Sequence, residues 1–311
     1  MSGEKILVTG ADLAPEACKM LSQYEIIYTG KTPSQEDIID HCRRYNPSAI
    51  IVRYNGVSDA AMSAAPALKV IAKHGSGIDT IDVTAAKARN IQVRAALGVN
   101  AAAVAEHTLA LLLACAKSIP GQNTRTHQGH WDKATHKSLE LGGLRIGLIG
   151  LGAIGLRFAR MAHALDMHVM GYDPYATDLP SYIQSVTLDN LWHEADVLSL
   201  HCPLTEQNQH LLNHQTLAQC KPGVIVVNTA RGGLINELAL LEALNSGQVL
   251  CAGLDSFEVE PMRPKHPFHH HPNIILSPHI AGVTSATYVK MGIAAANNIL
   301  AVLKQTCSTT C

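Results

Sequence analysis

The sequence predicts an α/β fold of two doubly wound parallel-sheet domains, one inserted into the other. Three observations carry that expectation. Short β-rich runs alternate with helix-like stretches along nearly all of the 311 residues, the mark of parallel sheets covered on both faces. The alternation comes in two series, separated by an Ala- and Leu-rich helix and a polar arm. A glycine-rich strand-to-helix turn, usual near a domain's start, waits until "IGLIGLGAIG" at 146–155.

Composition narrows the class of protein. Apolar residues make up 47% and charged residues 16%, with a net charge of −1. That is an ordinary soluble composition with no overall field toward nucleic acid or an anionic membrane, so neither is expected as a partner. The N-terminal apolar run is too short for a signal peptide, and "TLALLLACA" (108–116) falls far short of a bilayer span. Eight scattered cysteines without a CxxC pair suit a reducing cytoplasm, with Cys307 and Cys311 expected in a frayed, reduced tail.

In the first series, strands are expected at 5–9, 25–29, 49–53, 69–73 and 91–93. The intervening "APEACKMLSQ", "SQEDIIDHCRRY" and "TAAKARN" read as helices, with Ser34 and Thr80 placed as caps. A helix opened by Asn100 follows over 100–118, apolar nearly all round and therefore expected to be buried at a domain or subunit boundary. The segment 119–142, with His127, Gly129, His130 and Trp131, reads as an irregular arm.

The second series places strands at 144–150, 168–172, 197–200, 223–230, 250–255 and 273–278. Helices are expected at 153–165, 187–195, 209–220 and 236–247, and an amphipathic helix at 285–305 closes the chain.

Gly150, Gly152 and Gly155 fit G-x-G-x-x-G between strand and helix, with Ala153 and Ile154 opening the helix. The first glycine permits the tight turn, the second lets a pyrophosphate approach, and the third lets helix and strand pack. Asp173 follows 23 residues after Gly150 at the end of the next strand. A carboxylate there accepts from the ribose 2′-hydroxyl of NAD and repels the extra phosphate of NADP. The inserted part is thus expected to be a Rossmann domain for NAD over 100–283. Residues 1–99 with 284–311 form a discontinuous, flavodoxin-like substrate domain, and two crossings make a hinged cleft.

Three later stretches stand at predicted carboxyl ends of strands: "VNTARGG" (227–233), "GLDSFEVEP" (253–261) and "LSPHIAG" (276–282). With the glycine turn ahead of them, they make the chain resemble the D-isomer-specific 2-hydroxyacid dehydrogenases over nearly its whole length. The nearest branch is that of D-3-phosphoglycerate dehydrogenase.

The resemblance implies hydride transfer between C2 of a 2-hydroxy acid and nicotinamide, with His279 as acid/base. A group titrating near neutrality suits that proton transfer. It implies Glu260, rather than Glu258, as the partner of that imidazole, and Arg231 as a two-pronged contact to the substrate. Asp255, His201, Cys202, Pro203, Thr205, Thr229 and Ala230 are implied near the nicotinamide half of the cofactor. Ser76 and Gly77, in "KHGSGIDTID", would offer backbone N–H groups to the substrate carboxylate, a nest the glycines allow.

Arg53 matches an arginine that contacts substrate phosphate in that branch, though an arginine here also serves other 2-hydroxy acids or pairs with a nearby acid. Ala103 stands where the family often has Ser or Thr before V-A-E, which removes a hydroxyl. Ser256 replaces a common valine. The histidines of "KHPFHHHP" (265–272) read as a solvated loop, and no metal is expected.

Two alternatives stay beside the phosphoglycerate reading: a hydroxypyruvate or glyoxylate reductase, and an NAD(H)-sensing binding protein of the corepressor kind. No serine-binding regulatory domain is expected after the last helix. A homodimer through the cofactor domain is what the family, the helix from Asn100 and the arm together suggest.

Overall fold

The computed structural model describes residues 4–307, with side chains through Lys304; Cys311 and the side chain of Cys307, expected in a frayed tail, lie outside that range. The chain divides into two compact units. One comprises the described residues of Met1–Asn100 and Val283–Cys311, the other Ala101–Gly282.

The first unit runs β1 (Lys5–Val8), α1 (Pro15–Met20), β2 (Glu25–Tyr28), α2 (Gln35–Tyr45), β3 (Ala49–Val52), α3 (Asp59–Ser63), β4 (Val70–Lys73), α4 (Val83–Ala88) and β5 (Gln92–Ala95). All strand pairs are parallel, in the order β2-β1-β3-β4-β5. That is the flavodoxin-like order, with its reversal between β1 and β3. Ile50 and Val52 pack on one face of the sheet while Ala49 and Ile51 pack on the other, which is why the strands read as unbroken apolar runs. Each buried Ile or Val side chain contributes about 1.5–3 kcal/mol.

Ser34 caps α2 through a reciprocal box with Asp37. Thr80, expected as a cap, is not one. Asp82 caps α4 by accepting from Ala85 N at 2.8 Å, and the Thr80 carbonyl instead accepts from Val57 N. A carboxylate two residues nearer the helix outcompetes the hydroxyl. Five-residue α3, capped by Ser58, has too short a period to register in the sequence.

The second unit begins with α5 (Ala101–Lys117) and α6 (Ile119–His127). It continues with β6 (Arg145–Ile149), α7 (Ala153–Ala164), β7 (His168–Tyr172), β8 (Ile183–Ser185), α8 (Leu188–Glu194), β9 (Val197–Leu200) and α9 (His214–Gln219). β10 (Val224–Asn228), α10 (Glu237–Ser246), β11 (Val249–Leu254) and β12 (Ile274–Leu276) complete it. The parallel order β12-β11-β10-β9-β6-β7-β8 reverses between β6 and β9, the Rossmann switch point. Helix α5 buries Leu111, Leu112 and Cys115 in the cluster that also takes Phe158 and Ala162 of α7. It therefore packs into its own unit's core, while Ala102, Glu106 and Ala110 stay exposed. Asn100, expected to open this helix, accepts the Ser76 hydroxyl at 2.9 Å through Oδ1.

The arm is not irregular throughout. Ser118 takes a left-handed conformation (φ 52°), the chain bends by 60°, and α6 follows with Pro120 in its first turn. A two-pronged Arg125–Asp132 ion pair and Thr–carbonyl bonds hold it. No residue of α6 is buried, so the hydrophobic period that announces most helices is missing. Two further differences concern 209–220 and β8. The helix there shrinks to α9, capped by Asn213, because Leu212 bridges to Ile235 instead. The three-residue edge strand β8 has one buried residue.

Helix α11 (Ser285–Cys307) closes the first unit's sheet. Its stretch Ser285–Lys304 is long and apolar enough to cross a membrane, and the bent α5–α6 pair passes the same test. Ala295, Ala296, Ile299, Val302 and Leu303 spend that apolarity on the cluster with Ile6, Ile51 and Val70.

At Gly155 an added Cβ would fall on the Gly150 carbonyl oxygen. Gly155→Ala should therefore cost about 1–3 kcal/mol from overpacking, read as a lowered denaturant midpoint with the slope unchanged.

Candidate active site

The glycine turn leaves β6 at the switch point. Gly150 has φ 97°, and a Cβ there would lie 2.7 Å from Cys202 N and the His201 carbonyl carbon. Only glycine satisfies both constraints. Gly152 is the N-cap of α7 with no side-chain cap bond, and a Cβ on it would meet nothing within 4 Å. Space is thus open beside Gly152 at the positive end of the helix dipole, where the first-turn N–H groups of α7, Ala153 and Ile154 among them, lack helical partners.

Asp173 ties this turn to the end of β7. Its carboxylate accepts from Leu151 N at 2.8 Å and Tyr175 N at 2.9 Å. Behind the turn, His201 shares a hydrogen bond with Ser199 Oγ (2.9 Å), while its Nδ1 is buried with no partner among the described residues. Burial pushes its pKa down to about 3, so the ring is neutral. An uncapped helix start, a side-chain-free approach and an orphaned ring nitrogen together fit a dinucleotide.

The remaining expected cofactor residues line the carboxyl ends of β9 and β10. Asn208 Nδ2 donates to the Pro203 carbonyl and its Oδ1 accepts from Thr205 N, both at 2.7 Å, shaping the 202–208 turn. The Thr229 hydroxyl is bonded to that of Thr108 at 2.8 Å, both buried. Ala230 N donates to Asn228 Oδ1 at 2.9 Å, and Asn228 Nδ2 donates to the Arg231 carbonyl at 2.8 Å. Asn228, fully buried, was not singled out in the sequence; a polar residue ending "VIVVN" was the available signal.

Arg231, Asp255 and His279 follow β10, β11 and β12, three neighbouring strands. The structure brings them together with Glu260. His279 Nδ1 lies 2.7 Å from Glu260 Oε2, and Glu260 Oε1 accepts from Phe257 N at 2.9 Å. Gly232 permits this approach, since a Cβ there would fall on the Phe257 carbonyl group.

His279 is raised above its usual pKa, first by the Glu260 hydrogen bond, then by the Glu260 and Asp255 charges, against burial and Arg231. For Glu260, burial pushes upward, but the His279 and Phe257 hydrogen bonds and the His279 and Arg231 charges outweigh it and hold the carboxyl low. Glu258, by contrast, pairs with His210 at 3.0 Å. Histidines of the 265–272 loop are also engaged: His266 bonds Glu237 at 3.0 Å and His269 the Arg263 carbonyl at 3.1 Å.

Asp255, expected beside nicotinamide, is 1% exposed and holds the histidine loop. Oδ1 accepts from Ser277 Oγ (2.5 Å) and Ile280 N (2.9 Å), and Oδ2 from Ala281 N (2.8 Å). Between these anchors His279 sits at φ 54°, a conformation non-glycine residues adopt rarely. His107 of α5 completes the cluster, 2.9 Å from Ser277 Oγ. Neither Ser277 nor His107 was marked in the sequence. Ser256 contributes a buried hydroxyl with no partner among the described residues.

The expected substrate residues Arg53, Ser76 and Gly77 belong to the first unit. The Ser76 hydroxyl donates to the Ala96 carbonyl at 3.2 Å as well as to Asn100, fixing the loop after β4. The Arg53 guanidinium is paired with the Asp12 carboxylate.

The chain is similar to known proteins over most of its length. A family model for the NAD-binding domain of D-isomer specific 2-hydroxyacid dehydrogenases matches residues 109–281. A hydroxypyruvate reductase of Thermotoga maritima is 44% identical over 73% of this chain and 74% of its own length. A D-3-phosphoglycerate dehydrogenase of Archaeoglobus fulgidus is 37% identical over 87% of this chain, which spans only 52% of that relative. Among solved structures, the TT0316 protein of Thermus thermophilus superposes with a TM-score of 0.90 at 35% identity, covering 97% of each chain.

Because His279 is raised and Glu260 lowered, their mutual stabilisation spans the pH range between the two folded-state pKa values. It is lost as pH falls through that of Glu260, below 4.5, or rises through that of His279, above 6.5. In an NMR titration, Glu260→Gln should move the His279 midpoint down, toward or below 6.5. Asp255→Ala strands the buried Ala281 N–H and the part-buried Ile280 N–H and should cost about 1–3 kcal/mol or more, read by denaturant unfolding.

Proposed function

Since the chain belongs to the D-isomer specific 2-hydroxyacid dehydrogenase family, we propose that it works as a reductase of small, unphosphorylated 2-keto acids of the hydroxypyruvate and glyoxylate class. It is an oxidoreductase of 2-hydroxy acids that uses a nicotinamide dinucleotide. The observation carrying the catalytic reading is the 2.7 Å bond between His279 and Glu260 beside Arg231.

A nicotinamide dinucleotide, when bound, would supply the hydride for C2 of the substrate. His279 supplies the proton. Glu260 fixes the ring through Nδ1, leaving Nε2 to face the C2 oxygen, and its charge favours the imidazolium that reduction requires. Arg231 offers a planar pair of donors to the substrate carboxylate and the C2 oxygen, drawing electron density from the carbon to be reduced. Ser76 and Gly77 offer backbone N–H groups suited to a carboxylate. Asp173 favours NAD over NADP through charge repulsion of a 2′-phosphate.

The substrate class rests on Arg53. A phosphorylated acid, as used by the phosphoglycerate branch, calls for an uncompensated cation, and Arg53 is paired with Asp12. We also propose a homodimer through the cofactor unit. Ile119 and Trp131 of the arm, 59% and 81% exposed, supply the apolar surface for it.

Initial rates with NADH should give higher kcat/KM for hydroxypyruvate and glyoxylate than for 3-phosphohydroxypyruvate. The reverse order would sink the substrate assignment, and binding without turnover on any keto acid would favour the sensor reading. His279→Ala should lower kcat by roughly 10²–10⁴ while NADH affinity persists. Reduction should slow as pH rises through the raised His279 pKa, and oxidation should quicken through the same midpoint.

A further inference from the structure

At the carboxyl edge of the first unit's sheet, where ligands of open α/β sheets bind, five polar side chains gather. Asp12 follows β1, Arg53 and Tyr54 follow β3, His74 follows β4, and Tyr288 comes from the first turn of α11. The Arg53 side chain is only 10% exposed. Its guanidinium carbon lies 5.3 Å from the Tyr54 ring centre and 5.0 Å from that of Tyr288, so aromatic faces hold it in place. Nη1 donates to the Asp12 main-chain carbonyl at 2.5 Å and to the Asp12 carboxylate. The Tyr288 hydroxyl donates to the same carboxylate oxygen at 2.9 Å.

The acid is the outward member of this pair, with a side chain 66% exposed. The Tyr288 hydrogen bond first, and the Arg53 interactions after it, keep the Asp12 carboxyl below its usual pKa despite burial, so it stays charged. His74 adds no compensating cation, since burial and the Arg53 charge push it down to about 4. Within this cluster the Arg53 and Asp12 charges offset each other, and Asp12 presents a carboxylate to anything approaching the arginine.

We propose that Asp12 is a specificity-determining residue: as the outward counter-charge of Arg53, it excludes substrates that carry a second anionic group beyond the keto acid's own carboxylate. This rests on the keto-acid reading above and names the residue that enforces it. Rejection by a like charge is a recognised route to specificity, separate from any gain in favourable contacts. Arg53, Tyr54 and Tyr288 form the receptor a phosphate would need, and one carboxylate closes it.

Asp12→Asn tests this. The amide oxygen still accepts from Arg53 and Tyr288, while the negative charge is removed. In steady-state assays with NADH, the ratio of kcat/KM for 3-phosphohydroxypyruvate to that for hydroxypyruvate should rise about tenfold or more over wild type. Inorganic phosphate, which should not inhibit the wild-type enzyme competitively, should inhibit the variant. Tyr288→Phe keeps the ring over Arg53 but releases Asp12, and should raise the same ratio by a smaller factor. A ratio and a phosphate sensitivity both unchanged in Asp12→Asn, with its melting temperature preserved, would overturn the proposal. The wild-type preference reads the substrate class separately. A wild-type enzyme that favours the phosphorylated acid removes that reading, and the variant-to-wild-type ratio still decides the role of Asp12.

Discussion

A single buried carboxylate underlies the arrangement of the site. Asp255 is sealed from solvent and accepts from Ser277, Ile280 and Ala281. Burying a charge is costly unless hydrogen bonds satisfy it, and the three donors are all drawn from one short loop. That requirement pulls the loop into a single conformation and holds His279 in the left-handed region it would otherwise avoid. The clamp precedes the chemistry: without it, the imidazole has no fixed direction in which to meet Glu260.

The unit thus uses two carboxylates for opposite tasks. Asp255 is enclosed and acts on backbone; Glu260 is partly open and acts on a side chain that changes charge. Their environments separate them, as paired acidic groups in enzymes often are separated. Arg231 sits near enough to bias both members of the His279–Glu260 pair, opposing protonation of the ring while stabilising the carboxylate. The imidazole therefore stays within reach of both charge states.

Much of this was legible in the sequence because the signals were local or strongly patterned. Two-sided burial writes itself as "AIIV" and "VIVV", and the glycine turn is constrained at two positions by backbone contact. The motif stretches placed His279, Glu260 and Arg231, though their meeting depends on strand order that no window of residues contains. What was missed lacked such signals. Helix α6 buries nothing, β8 is three residues long, and Thr80 lost to Asp82 in a competition of side-chain reach. The Arg53–Asp12 pair joins residues 41 positions apart, and either partner alone reads as an ordinary surface charge. The donors that hold Asp255 come from 22 to 26 residues downstream, a separation over which its motif position gives no sign of them.

The order in which the chain is made bears on the first unit. One face of its sheet, formed by Ile6, Val8, Ile51 and Val70, is covered by the apolar side of α11. That helix starts at Ser285, after every strand of the other unit has been made. On the ribosome, where synthesis runs at about 5–20 residues per second, Ala101–Gly282 can close its own core first. The earlier-made sheet must meanwhile keep that greasy face only partly covered, by the α1 segment, for many seconds. The segment translated first is the last to finish folding, and it is the one a chaperone would have to shield.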